Sequence, residues 1–179
     1  MTETIFFAGF GGQGVILAGK LVCLAAMAEG KHVSHIPSYG AEMRGGTANC
    51  AVVVSDEEIA SPLVPNPGVL VALNTPSLVK FGPLVRAGGL VIWNSSLCEP
   101  PAERAGVEYL AVAANALAEA AGSYRAANMA ALGALLARRP AVASLASVEA
   151  ALAEAVSARH RELNEVNRKA LQKGHEAAG

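Results

Sequence analysis

The sequence is short of several things, and each shortage removes a class of protein. Its three cysteines, Cys23, Cys50 and Cys98, are far apart and odd in number. No Cys-x-x-Cys pair occurs, so the chain alone lacks the spacing that holds an iron–sulfur cluster or a structural zinc. Reduced thiols in the cytoplasm are the simple expectation. A charge bias is missing too: 14 basic and 15 acidic residues leave a formal net charge of −1. With no basic stripe interleaved with aromatics, no nucleic-acid partner is expected. The longest apolar run near the start, VILAGKLVCLAAMA, is broken by Lys20. It falls short of the roughly 18 uncharged apolar residues that read as a membrane span. The opening MTETIFF has no basic n-region, so neither a membrane segment nor a signal peptide is expected. Aromatic residues make up only 4% of the chain, so its core must rest on aliphatic side chains and alanine.

Alanine supplies much of a hydrophobic content of 53%, which favours helices and close helix packing. The 179 residues suit one compact domain, taken as residues 1–179, with no internal repeat or dividing linker. Strand-like runs occur at Thr4–Ala8, His32–Ile36, Cys50–Ser55, Val69–Leu73, Leu90–Trp93 and Glu108–Val112. VLVAL and LVIW do not alternate, as expected of strands covered on both faces. Helical patterns fill Val15–Glu29, which Gly30 stops, then Pro76–Phe81 and Ala126–Ala137. A long final helix is expected over Ser147–Lys173, with Val148, Leu152, Val156, Leu163, Val166 and Ala170 near one stripe. Residues 37–49 read as a long loop, and Ile59–Ala60 as a strand pairing back in a short hairpin. Alternating strands and helices predict an α/β, three-layer Rossmann-like domain. Its sheet is expected to be mainly parallel, with an antiparallel hairpin and a long C-terminal helix.

Residues 9–14 read GFGGQG, the spacing of a dinucleotide-binding fingerprint. Glycines let the chain turn tightly after a strand, and the following helix aims free N–H groups and its positive end at the turn. A dinucleotide unit also places an acidic residue about 20 residues further on, to hold the ribose hydroxyls. Here that stretch is HVSHIPSYG, with no Asp or Glu before Glu42. A standard NAD site is therefore disfavoured. Without Gly-Lys-Ser/Thr the loop is not a P-loop either. An anion-contacting loop and a purely structural turn remain equal alternatives. In SYGAEMRGGTAN, Arg44 can grip a phosphate or carboxylate, although pairing with Glu42 or a neighbouring chain is the plainer role. His32 and His35 fall on opposite sides of a strand and are not expected to share a metal. Asn74 and Ser95-Ser96 end strands on the carboxyl edge, where open α/β sheets bind ligands. Together with Gly11, Gly12 and Arg44, Asn74 is expected to line one crevice.

Several stretches together resemble a known family. GFGGQGVILAGKLV, SYGAEMRGGTANCAVVVSDEEIASP, LVALNTPSLVKF, GGLVIWNSS, ANMAALGALLA and NRKALQKG are similar to the gamma subunit, or fused gamma domain, of 2-oxoacid:ferredoxin oxidoreductases. The EMRGGTANC form with the later Asn-Ser-Ser looks most like the 2-oxoglutarate enzyme; the pyruvate and branched-chain enzymes are close competitors. Two positions depart from the commoner pattern, Met43 before Arg44 and Gly68 before the VLVAL strand. The resemblance implies an accessory subunit with no catalytic residue and no cofactor of its own. In the complex, 2-oxoglutarate, coenzyme A and oxidised ferredoxin would give succinyl-CoA, carbon dioxide and reduced ferredoxin. Thiamine diphosphate, magnesium and iron–sulfur clusters would belong to alpha, beta and, where present, delta partners. The resemblance also implies candidate coenzyme A, anion or subunit contacts at Gly9, Gly11, Gly12, Gln13, Gly14, Arg44, Gly45, Gly46 and Asn74. A stand-alone NAD(P)-dependent oxidoreductase and a purely structural module are the rival classes.

Overall fold

The computed structural model describes residues 1–39, 46–155 and 161–179. Six strands, β1 (Thr2–Phe10), β2 (His32–Tyr39), β3 (Thr47–Ser55), β4 (Val69–Ala72), β5 (Leu90–Asn94) and β6 (Glu108–Val112), form one sheet in the order β2-β3-β1-β4-β5-β6. Five run one way. β3 alone runs against them, paired antiparallel with β1 on one side and β2 on the other. Apolar continuity explains the centre of the sheet. All four residues of β4 and all five of β5 are buried, as strands covered on both faces must be. β2 lies at the edge, which is where Pro37 can be tolerated within a strand.

The two faces are covered unequally. Helices α1 (Val15–Ala28), α3 (Ala114–Ala121), α4 (Ala127–Arg138), α5 (Leu145–Ala155) and α6 (Arg161–Ala178) share one hydrophobic cluster with Ile5, Phe7, Val52, Val71 and Ile92. The other face is covered by the seven-residue α2 (Thr75–Phe81), a 3-10 turn at Gly82–Leu84 and the loop after β5. There Leu78, Phe81, Val85 and Cys98 pack on Ala8, Leu70, Val91 and Trp93. Alanine makes the thick layer possible, because small side chains let helices stack closely on one another. The extreme case is the crossing of α4 and α6, where a Cβ on Gly133 would overlap the Leu171 carbonyl and one on Gly174 the Ala130 carbonyl.

Three expectations from the sequence need correction. Residues 37–49 are not one long loop: β2 runs to Tyr39 and β3 starts at Thr47, because polar residues suit an edge strand and its neighbour. The antiparallel hairpin is β2–β3, and Ile59–Ala60 is not a strand. Ser147–Lys173 is not one helix. At about 1.5 Å per residue a continuous helix would separate positions 149 and 172 by about 34 Å. Gln172 Nε2 instead donates to Glu149 Oε1 at 2.6 Å, so α5 and α6 lie back against each other. Of the expected stripe, Val148, Leu152 and Ala170 are buried, Leu163 is exposed and Val156 lies outside the described residues. Helix α3 was not anticipated from its alanine-rich, weakly patterned sequence. Among the described residues no helix is long and apolar enough to cross a membrane.

A polar clamp fixes α5 to the end of α1. The Ser144 hydroxyl accepts the Ser147 N–H at 3.1 Å and so caps α5. The Ser144 N–H donates to Glu29 Oε1 at 2.7 Å, and Lys31 Nζ donates to Glu29 Oε2 and to the carbonyls of Ala141 and Val142. Burial works against ionisation of Glu29, but the Ser144 N–H, the Ser147 and Ser144 hydroxyls and Lys31 outweigh it and hold the carboxyl at about 2 instead of 4.5. The folded pKa lies below the unfolded one, so the clamp contributes fully above about 4.5 and is lost as pH falls towards about 2. Thermal unfolding followed from pH 6 down to pH 2.5 should show this loss, and Glu29→Gln should flatten it.

Candidate functional site

The parallel strands end together at one edge, and the chain departs from β1 and β4 in opposite directions across the sheet. Open α/β sheets bind ligands at such a reversal. The glycine loop sits there. β1 continues through Gly9 and Phe10, so the turn proper is Gly11–Gly14. Gly12 and Gly14 have φ of 92° and 75°, a region costly for any residue with a Cβ. The Gly11 N–H donates to the Gly46 carbonyl at 2.9 Å, so the start of β3 lies beside the loop. The Gln13 N–H turns back onto the Phe10 carbonyl at 3.1 Å, and Gly14 starts α1 by accepting the Ala18 N–H.

Gln13 is the hub of this edge. Its Oε1 accepts the Phe10 N–H at 2.7 Å and the Asn74 Nδ2–H at 3.0 Å, and its Nε2 donates to the Leu73 carbonyl at 3.4 Å. Asn74 in turn caps α2, its Oδ1 accepting the Ser77 N–H at 2.8 Å. Asn94, buried at the end of β5, donates to the Leu73 carbonyl and to Asn115 Oδ1, and accepts the N–H groups of Ser96 and Ala114. Asn128, on α4, donates to the Gly14 carbonyl at 3.0 Å. Four amide side chains thus satisfy backbone groups that the strand ends would leave bare. Glutamine and asparagine suit this role because each carries both a donor and an acceptor.

The structure therefore brings Gly9, Gly11, Gly12, Gln13, Gly14, Gly46 and Asn74 to one edge, whereas Arg44 and Gly45 lie outside the described residues. The hydrogen bonds made by Gln13 and Asn74 act within the chain, bracing the loop against α2. Next to them opens a cleft of about 590 Å³, lined by Gly12, Gln13, Leu73, Leu97, Asn115 and, from the segment before α4, Tyr124, Arg125 and Ala127. Tyr124 is 59% exposed and Arg125 is exposed as well, so an aromatic face and a cation stand at its mouth. Neither was singled out from the sequence. Their only signal is an Arg beside an aromatic ahead of a helix, and their distance from the glycine loop along the chain hid it.

Two further sequence readings can be placed. β3 separates β2 from β1, so the end of the second strand does not adjoin the glycine loop, and the ribose-binding corner of a dinucleotide site is not assembled. His32 is exposed on β2, while His35 turns inward, with its Nε2 buried near Gly19 and unpartnered. Burial pushes the thiols of Cys23 and Cys50 up to about 12, with Cys23 also raising that of Cys50. Among the described residues no three His, Cys, Asp or Glu side chains are placed to hold a metal ion.

Gly14 makes a direct test of the loop. A methyl group there would face the left-handed backbone penalty and overlap the Asn128 amide. Gly14→Ala is expected to cost about 2 kcal/mol in urea unfolding. Removing the amide with Asn128→Ala in the same chain should recover the part due to overlap.

An open α/β sheet whose glycine turn, braced by amides, borders a ligand-sized cleft but forms no dinucleotide corner defines the class: a Rossmann-like fold with an adapted switch point. The chain belongs to the pyruvate ferredoxin/flavodoxin oxidoreductase family, whose model matches residues 4–177. It is 45% identical over 130 residues to the ketoisovalerate oxidoreductase subunit VorA of Methanothermobacter marburgensis, a match covering 73% of this chain and 27% of that one. The chain thus spans about a quarter of that curated relative's length. Among solved structures, the gamma subunit of a keto/oxoacid ferredoxin oxidoreductase from Geobacter sulfurreducens PCA superposes with a TM-score of 0.81 at 33% identity, covering 98% of both chains. The 2-oxoglutarate:ferredoxin oxidoreductase of Magnetococcus marinus, solved with 2-oxoglutarate, coenzyme A and succinyl-CoA bound, gives a TM-score of 0.89 at 26% identity over 99% of this chain and 31% of that one.

Proposed function

We propose that residues 1–179 form one gamma-type domain acting as the gamma subunit of a 2-oxoacid:ferredoxin oxidoreductase. The observation that carries this reading is the end-to-end likeness to the Geobacter gamma subunit, which leaves no large part of either chain unmatched. In such a complex thiamine diphosphate with magnesium supplies the decarboxylation, and iron–sulfur clusters carry the electrons to ferredoxin. This chain's thiols do not fit cluster ligation: Cys23 and Cys50 are buried in one hydrophobic cluster and Cys98 in the other. Those groups are assigned to the alpha and beta partners and, where present, a delta partner.

The cleft fits an anionic ligand with an extended apolar part, and coenzyme A is the proposed one. Arg125 would meet a phosphate, Tyr124 offers a ring face, Leu97 and Leu73 offer apolar wall, and the backbone at Gly12 can approach closely because no side chain stands there. Arg44, Gly45 and Gly46, which precede β3, are proposed as companion contacts. Gln13, Asn74 and the remaining glycines serve by holding that shape.

The acid proposed is 2-oxoglutarate, supported by the fit to the Magnetococcus enzyme and by the EMRGGTANC form. The longer match to VorA favours a second reading, ketoisovalerate. Purifying the native complex through a tag on this chain and supplying 2-oxoglutarate, ketoisovalerate, pyruvate and indolepyruvate in turn decides between them. The reading predicts coenzyme A-dependent ferredoxin reduction with 2-oxoglutarate at the highest kcat/KM. A tagged chain that brings down no thiamine-binding protein would end it.

A further inference from the structure

Beside the cleft lies a second concavity, a groove of about 300 Å³ between α2 and the proline-rich loop after β5. Leu78, Val79, Pro83, Pro100, Pro101 and Tyr109 give it an apolar lining. The two concavities share a ridge: Leu97 lines the cleft, and its carbonyl lies 3.5 Å from the hydroxyl of Thr75, which lines the groove.

The groove is built: apart from the exposed Glu99 on its rim, its polar side chains bond within the chain. Arg104 donates from Nη2 to the carbonyls of Val85 and Gly82, which pins the loop to the 3-10 turn. The Arg104 N–H donates to the Tyr109 hydroxyl. Around this fixed floor, large apolar side chains stand in water: Val79 is 69% exposed, Leu97 54% and Leu84 43%. Exposed apolar side chains gathered around a preformed groove are the kind of surface that interaction sites use.

The relatives indicate what covers it. A match to 73% of this chain takes up 27% of VorA, the whole fold takes up 31% of the Magnetococcus chain, and the Geobacter gamma subunit is a separate chain matched over 98% of its length. It therefore occurs both within a longer chain and as a separate one. A surface that serves both cases must be preformed, must tolerate water when free, and must be apolar enough to hold when seated. The groove meets these conditions. It also adjoins the cleft, which the covering body has to reach, because coenzyme A must accept an acyl group that this chain does not generate. The thin layer of the sheet is where the groove lies, so nothing on the helix-rich face stands in the way.

We propose that the groove between α2 and the loop after β5 seats an apolar segment of the body that the longer relatives carry beyond the matched region, and that this seating closes the Leu97 side of the cleft. The proposal rests on the gamma-subunit reading above. It adds the face and the residues by which the chain joins the thiamine-bearing part of the complex.

The test is assembly of the native complex from its separately tagged chains. Val79→Glu puts a charge on the exposed rim without touching the core, and Met27→Glu, on the 56% exposed Met27 of α1, is the control on the opposite face. Val79→Glu is expected to weaken assembly at least tenfold and to raise the KM for coenzyme A, while Met27→Glu assembles like the parent. Val79→Cys carrying an environment-sensitive fluorophore, in a chain that is otherwise unchanged, should shift to the blue when the complex forms. Parent-like assembly of Val79→Glu, or an unshifted label in an assembled complex, overturns the groove proposal while the gamma-subunit reading stands. Failure of the parent chain to assemble with a thiamine-binding protein overturns both.

Discussion

A single methyl group at Gly133 is expected to lower the melting temperature of the chain by about 9 °C. The site is the crossing of α4 and α6, where the two backbones touch. A Cβ on Gly133 would overlap the Leu171 carbonyl and stand 2.7 Å from the His175 nitrogen. Both obstacles are backbone, so no change of rotamer can relieve them, and the helices must move apart. Separation would loosen Ala170 and Leu171, which are fully buried in the larger hydrophobic cluster. Overpacking of this kind costs about 3 kcal/mol at the upper end of its usual range. For a chain of this size each kcal/mol is worth about 3 °C. Gly174→Ala, whose Cβ would overlap the Ala130 carbonyl, should behave alike. Gly82→Ala is the control. Nothing lies within 4 Å of its Cβ position and its φ is −53°, so its effect should stay within about 0.5 kcal/mol. Thermal unfolding followed by circular dichroism measures all three. A Gly133→Ala chain that melts with the parent would show that the crossing yields.

Arg125→Ala, in the assembled complex, is expected to raise the KM for coenzyme A about tenfold and to leave kcat at saturating coenzyme A within a factor of about two. A charge-assisted hydrogen bond contributes about 1.5–3 kcal/mol, and exposure at the mouth of the cleft favours the lower end. About 1.4 kcal/mol is a factor of ten in affinity. The contact binds substrate and transition state alike, so the loss belongs in KM. Added salt should raise the parent's KM more steeply than the variant's, since screening acts on a charge that only the parent has. Arg125→Lys should restore part of the affinity, keeping the charge and losing the planar fork. An unchanged KM and salt dependence would remove Arg125 from the site.

Much of this fold was readable in the chain because its strands are extreme. VLVA is wholly apolar and LVIWN is apolar up to its final Asn94, and they are the two strands buried along their whole length. The glycine turn was equally plain, since glycine alone takes the left-handed backbone angles at positions 12 and 14 without strain. What stayed hidden depends on pairing between distant residues. Nothing in HVSHIPSY or TANCAVVVS says that the second strand will stand outside the third, yet that order removes the dinucleotide corner. The end of α5 was masked because its apolar stripe runs on into α6; the turn back shows in the contact of Glu149 with Gln172. At the site, Gln13 and Asn74 were legible as residues but not as roles. Their amides look available for a ligand in the sequence and are spent on each other and on nearby N–H groups in the structure. Arg125 reaches the cleft from the segment just before α4, the helix whose Asn128 holds Gly14.

Titrating this chain into the remaining subunits of its complex, with coenzyme A-dependent ferredoxin reduction by 2-oxoglutarate as the readout, tests the central claim most directly. The account predicts little or no turnover without the chain, a rise as it is added, and a plateau when each thiamine-bearing unit has received one copy. Full coenzyme A-dependent turnover in its absence, or no response to its addition, would contradict the account.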